Sequence, residues 1–194
     1  MTRQRGDFRA DLRFSQEMRD RFLTSFYGGF ALQGRYVFVD KSRCSTILQK
    51  RIAIDTILQS KMGGSICIEE KIERRFTGNL ALETDSCTVV GHESKGWMHY
   101  GQADYLLYAF VISQHQEPVG LDIYFMDFQA LRAWFWKAWE RFPERTLPDT
   151  HNHTRIRLVP IVEIGYAIGY FRYRAGATEC QKVAIVSKRE EGIA

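Results

Sequence analysis

Apolar residues recur along this chain in two rhythms. Met18, Phe22, Leu23 and Phe26 return at helical steps with Glu17 and Asp20 between them, which is the pattern of one buried helix face. Ser15 has the chemistry of an N-cap, and Gly28 with Gly29 that of a stop, so the pattern predicts a first helix over residues 15–26. A second stripe, Leu131, Trp134, Phe135, Ala138, Trp139 and Phe142, alternates with Arg132, Lys137, Glu140 and Arg141 and predicts a helix over 128–142, ended by Pro143 and Pro148.

The other rhythm is short, apolar and rich in β-branched or aromatic residues. It predicts strands over 35–39, 50–58, 66–72, 79–83, 103–113, 121–125, 155–164 and 182–187, while 168–174 suits either strand or helix. Gly63 and Gly64 punctuate the chain before 66–72, and three successive strands from residue 50 to 83 predict a meander. Residues 1–13 mix arginine, acids and apolar residues without a period and predict a loose arm. The order of elements predicts a mixed α/β or α+β domain over 1–194, with a central mixed sheet flanked by helices.

Composition narrows the class. With 194 residues, 45% of them hydrophobic, the chain has material for one sizeable core. A net charge of +4 permits a polyanionic partner without requiring one. Cys44, Cys67, Cys87 and Cys180 form no CxxC pair, which argues against a zinc knuckle and a disulfide framework and fits a reducing cytoplasm. No apolar segment has membrane-span length, and the basic N-terminus lacks the apolar core of a signal peptide, so a soluble, cytoplasmic protein without a membrane partner is expected.

The candidate chemistry lies on two neighbouring short segments. Asp55 belongs to the 50–58 segment, and Glu69 and Lys71 follow after the Gly63 and Gly64 turn, two residues apart and therefore on one face of a strand. Two carboxylates converging in a partly buried cleft repel or take up protons, and a bound cation gives a physical reason for both to stay ionised. Magnesium held by such a pair assists phosphodiester hydrolysis, with Lys71 placed to orient water or offset developing charge. The plain alternative makes Asp55 a turn residue and Glu69 with Lys71 a surface ion pair.

Asp55 followed by Glu69-x-Lys71 in an apolar strand resembles the PD-(D/E)XK phosphodiesterase superfamily, which includes restriction endonucleases and Holliday-junction resolvases. The longer string from Gln49 to Asp55, through Ile68-Glu69-Glu70-Lys71, Leu80-Ala81-Leu82-Glu83 and Gly96-Trp97 to Ala103-Asp104-Tyr105, is similar to a phage and bacterial branch of it, over about residues 35 to 125. The resemblance implies a restriction-endonuclease-like fold and a Mg²⁺- or Mn²⁺-dependent nuclease acting on DNA. It also implies metal binding by Asp55, Glu69 and the carbonyl of Glu70, water positioning by Lys71, and a helix acid that Glu17 or Asp20 would supply. Ile54 stands where the superfamily usually has proline.

Other residues have more ordinary readings beside their functional ones. Glu83 is a further metal ligand, a partner for Lys71 or a plain strand-end acid, and Gln59 is a substrate contact or a turn amide. Trp97 and Tyr105 suit base stacking or, more simply, the core; Asp104 suits a structural hydrogen bond or the cleft wall. His151 and His153 form a His-x-His pair in a loop without a third ligand. Arg74 and Arg75, just past the ExK segment, are expected phosphate contacts if folding brings them to the cleft; Arg155, Arg157, Arg172, Arg174, Lys182, Lys188 and Arg189 suit a solvated surface. Trp134, Trp136 and Trp139 read as a buried helix face, extended to a homodimer contact if much of it stays exposed. The rival to the nuclease is a non-catalytic binding or accessory protein of phage type that keeps the fold.

Overall fold

The computed structural model describes residues 8–32, 36–39, 52–147 and 153–187. Helix α1 (Phe8–Met18) runs through a π-helical stretch (Arg19–Leu23) into α2 (Thr24–Leu32). Met18, Phe22, Leu23, Phe26 and Tyr27 are all buried. The i, i+4 and i+8 spacing of Met18, Phe22 and Phe26 keeps them on one apolar stripe that continues across the π turn.

Two expectations fail in this region. Ser15 lies inside α1, and the helix passes through Gly28 and Gly29 to Leu32. Glycine costs a helix only about 1 kcal/mol relative to alanine, and burial of the adjoining Phe26 and Tyr27 outweighs that. Residues 8–13 of the expected arm are helical, while 1–7 lie outside the described residues.

Eleven strands form two sheets among the described residues. In chain order they are β1 (Tyr36–Val39), β2 (Thr56–Ser60), β3 (Ser65–Glu73), β4 (Asn79–Cys87), β5 (Ser94–Lys95), β6 (Tyr105–Gln114), β7 (Glu117–Asp127), β8 (Glu144–Thr146), β9 (Arg155–Pro160), β10 (Tyr170–Ala175) and β11 (Cys180–Val186). A seven-stranded sheet has the order β1-β2-β3-β6-β7-β10-β11, and a four-stranded sheet the order β5-β4-β9-β8. The pairing of β3 with β6 is parallel and every other pairing in both sheets is antiparallel, which makes the fold mixed α+β.

The expected meander breaks at β4, which leaves for the second sheet and pairs with β9. Parallel pairing of β3 with β6 needs a crossover, and β4, β5 and a short helix α3 (Trp97–Tyr100) supply it. Helix α4 (Phe128–Ala138) ends in a 3₁₀ turn (Trp139–Arg141), and Asp127 caps its start by accepting from the Ala130 N–H at 2.7 Å. The predicted strand 155–164 is β9 only as far as Pro160, after which helix α5 (Ile161–Ala167) begins; the ambiguous 168–174 segment overlaps β10, which starts at Tyr170 and ends at Ala175.

The large sheet separates two apolar clusters. Leu107, Ala109 and Val111 of β6 pack on the α1–α2 side, whereas Leu106, Tyr108 and Phe110 pack with Leu80, Leu82, Phe128 and Phe135 on the other. Burial on both faces explains why β6 reads as an unbroken apolar run. No helix among the described residues is long and apolar enough to cross a membrane.

Candidate functional site

The β2–β3 hairpin builds the site. Gly63 and Gly64 turn with φ of 93° and 81°, a region that L side chains disfavour, and the register sets Thr56 opposite Ile68. Asp55 is thus the residue before β2 rather than the end of a longer strand. Its N–H donates to the Ile68 carbonyl at 2.9 Å, and its carboxylate Oδ2 accepts from the Glu70 N–H at 3.0 Å. Beyond Ile68, where β2 no longer accompanies β3, the Asp55 carboxylate takes over a main-chain hydrogen bond. On its opposite edge β3 is secured by β6, with Glu69 beside Leu106 and Lys71 beside Tyr108.

Strand alternation sends Glu69 and Lys71 to the same face as expected. Lys71 Nζ lies 2.8 Å from Glu69 Oε1; the Glu69 side chain is 5% exposed and that of Lys71 35%. Burial, reinforced by the Asp55 charge and opposed by Lys71, pushes the Glu69 carboxyl up to about 7. For Lys71 burial works against the charged amine, but Glu69 and Asp55 outweigh it and hold its pKa above the usual lysine range. Glu83 of β4 adds to the negative field on Lys71 and accepts a hydrogen bond from the Ser86 hydroxyl. Asp55, Glu69 and Lys71 therefore interact directly, with Glu83 at the margin.

Glu70 faces the other way, towards the helices, and is 4% exposed. Its carboxylate accepts from Arg19 Nε, from the Tyr27 hydroxyl at 2.6 Å and from the Thr56 hydroxyl. Three donors satisfy a buried charge that would be prohibitive alone. Arg19 opens the π-helical stretch, so the irregular turn delivers its guanidinium to β3. Sequence reasoning missed Arg19, Tyr27 and Thr56. The signal lay in the tandem Glu69-Glu70: adjacent acids on a strand face opposite sides, so the second also needed a partner.

A cleft of about 550 Å³ opens between α1 and β3, lined by Gln16, Arg19, Asp55, Glu70, Lys71 and Glu73 among others. The suggested helix acids do not line it: Glu17 is exposed, and Asp20, also exposed, accepts from Gln16 Nε2 at 2.7 Å. Gln59 sits exposed on β2 opposite Ser65, several residues along the hairpin from Glu69. The Arg74 guanidinium lies 3.8 Å from the Phe14 ring centroid of α1, beside the cleft-lining Arg13 and Ser15; Arg75 is exposed.

The remaining candidates have structural contacts. Asp104 accepts from the Cys67 N–H at 2.7 Å and returns its own N–H to the Cys67 carbonyl at 2.8 Å, fastening β3 to the start of β6. Tyr105 stacks on Phe125 with centroids 4.7 Å apart, and Trp97 is 3% exposed. His153 is exposed, and His151 lies outside the described residues. Trp134, Trp136 and Trp139 are half-buried, covered by the Phe142 ring, the His99 ring and the Arg157 guanidinium respectively.

Among the described residues no three His, Cys, Asp or Glu side chains gather as a metal-holding group. The donor set is the pair Asp55 and Glu69. It fits Mg²⁺, which uses one or two carboxylates and keeps several waters. A divalent cation would also relieve the repulsion that helps to drive the Glu69 carboxyl up to about 7. Comparison of the chain with protein-family models, curated proteins and solved structures finds no match.

Proposed function

We propose that the protein is a metal-dependent phosphodiesterase of PD-(D/E)XK type that hydrolyses nucleic acid, with DNA as its substrate. The observation that carries this reading is the meeting of Asp55, Glu69 and Lys71 where β2 and β3 part, with Asp55 and Lys71 lining the adjacent cleft and Glu69 buried behind them. Asp55 and Glu69, with the Glu70 carbonyl, would hold Mg²⁺ or Mn²⁺. When bound, the ion supplies charge neutralisation on the phosphoryl oxygens and a more acidic water.

The chain's own residues divide the remaining work. Lys71, paired with Glu69, is placed to donate to the attacking water or the phosphoryl oxygens. The side chain of Glu70 is engaged by Arg19, Tyr27 and Thr56, which keeps its N–H on Asp55 and so fixes the direction of that carboxylate. Arg74, laid on α1 beside the cleft rim, is a phosphate contact in this reading.

The test is incubation of the purified protein with linear, supercoiled, single-stranded and branched DNA and with RNA, each with Mg²⁺, Mn²⁺ or a chelator. Cleavage of at least one DNA form that the chelator abolishes is expected. Intact substrates throughout, together with a thermal midpoint that neither metal moves at millimolar concentration, would favour the non-catalytic binding role.

A further inference from the structure

We propose that the segment from Gly96 to Gly101 is a rigid platform that holds the Trp97 indole against the Lys71 ammonium, making Trp97 the positioning residue for Lys71. The inference rests on the reading of Lys71 as a residue of phosphodiester hydrolysis. Lys71 Nζ lies 5.1 Å from the centroid of the Trp97 ring, within the range of a cation–π contact. Lysine carries its charge on a flexible four-carbon stem with three rotatable donors, so the ion pair with Glu69 at 2.8 Å fixes one donor and leaves the direction of the other two under-determined. The indole face supplies the second restraint. At 3% exposure Trp97 has no open face for a nucleic-acid base, which separates this role from stacking.

The platform is held far more firmly than its length explains. Helix α3 has four residues, and a helix that short does not persist unaided. At its start, the Gly96 N–H donates to the Thr84 carbonyl at 2.8 Å, and a Cβ at Gly96 would fall on the Glu83 backbone, 2.7 Å from its carbonyl carbon. At its end, Arg132 captures three main-chain carbonyls: Met98 through Nε at 2.8 Å, Gly101 through Nη1 at 2.7 Å and His99 through Nη2 at 2.5 Å. Trp136 Nε1 also donates to the Met98 carbonyl at 3.1 Å. A guanidinium spent on helix-end carbonyls does what a longer helix or a C-cap would do. Glu83 lies under Gly96 and in the field of Lys71, so the platform and the site share a wall.

The test compares Trp97→Phe, which keeps an aromatic face, with Trp97→Leu, which keeps only apolar bulk. Two readouts are taken: the rate at which acetic anhydride acylates Lys71 in metal-free protein, followed by mass spectrometry, and kcat with KM on the cleaved substrate. Trp97→Leu is expected to raise Lys71 acylation and lower kcat by about 5-fold, the scale of a half-exposed cation–π contact, with KM little changed; Trp97→Phe should stay within about 2-fold of the parent in both. Arg132→Gln, which loosens the platform without touching the indole, should raise acylation in the same direction and covers the case in which Trp97→Leu does not fold. Equal acylation in the Phe and Leu proteins, or unchanged acylation in Arg132→Gln, would overturn the proposal. If the parent protein cleaves nothing, the phosphodiesterase reading falls, and acylation alone decides whether Trp97 restrains Lys71.

Discussion

Glu69 is the residue whose energetics are most exposed to measurement. Its carboxyl rises from an ordinary value of 4.5 to about 7 in the fold. Between those two values the folded chain holds more of the proton than the unfolded chain, so stability falls as pH rises from about 4.5 to 7 and is not recovered above it. The loss is on the order of 3 kcal/mol for a shift of this size. Glu69→Gln should flatten that slope in metal-free urea unfolding at pH 4.5, 6 and 8; a slope equal to the parent's would refute the assignment. At this scale the ExK pair was legible because strand alternation alone puts Glu69 and Lys71 on one face. The cage around Glu70 was not, since Arg19 lies 51 positions away in sequence and Tyr27 lies 43. Only the folded helix reveals which of its polar residues turn inward.

The elements were legible where local chemistry decides them. Gly63 with Gly64 marked the hairpin, and the apolar stripe of residues 128–142 marked α4 with its 3₁₀ end. They were misread where tertiary packing overrides local chemistry: Gly28 and Gly29 look like a stop, yet α2 runs on to Leu32 behind the buried Phe26 and Tyr27. The helix–sheet joint gives its own prediction. Tyr27→Phe removes one donor from buried Glu70 and should cost about 1–3 kcal/mol by denaturant unfolding, whereas Glu17→Ala, on the exposed side of the same helix, should change stability by less than about 0.5 kcal/mol. Gly96→Ala drives a methyl into the Glu83 backbone and should destabilise by roughly 2 kcal/mol or more; a neutral result would mean that β4 and α3 yield easily.

For the whole molecule, the mixed α+β class followed from the alternation of rhythms, but the partner of each strand did not. The departure of β4 and the parallel pairing of β3 with β6 are set by contacts distant in sequence, and together they place Glu83 and Trp97 beside Lys71. Metal binding to this assembled site should act on the global equilibrium. At a Mg²⁺ or Mn²⁺ concentration 100 times Kd the native state gains about 2.7 kcal/mol; the thermal midpoint should therefore rise with metal in the parent, and Glu69→Ala should abolish the rise. The most direct measurement is Mg²⁺-dependent cleavage of the DNA form found susceptible, by the parent and by folded Asp55→Ala and Lys71→Ala proteins. The assignment predicts cleavage by the parent and its loss in both variants, at least about 100-fold, as when a charge-stabilising group is removed from an active site. Undiminished cleavage by both variants would contradict it.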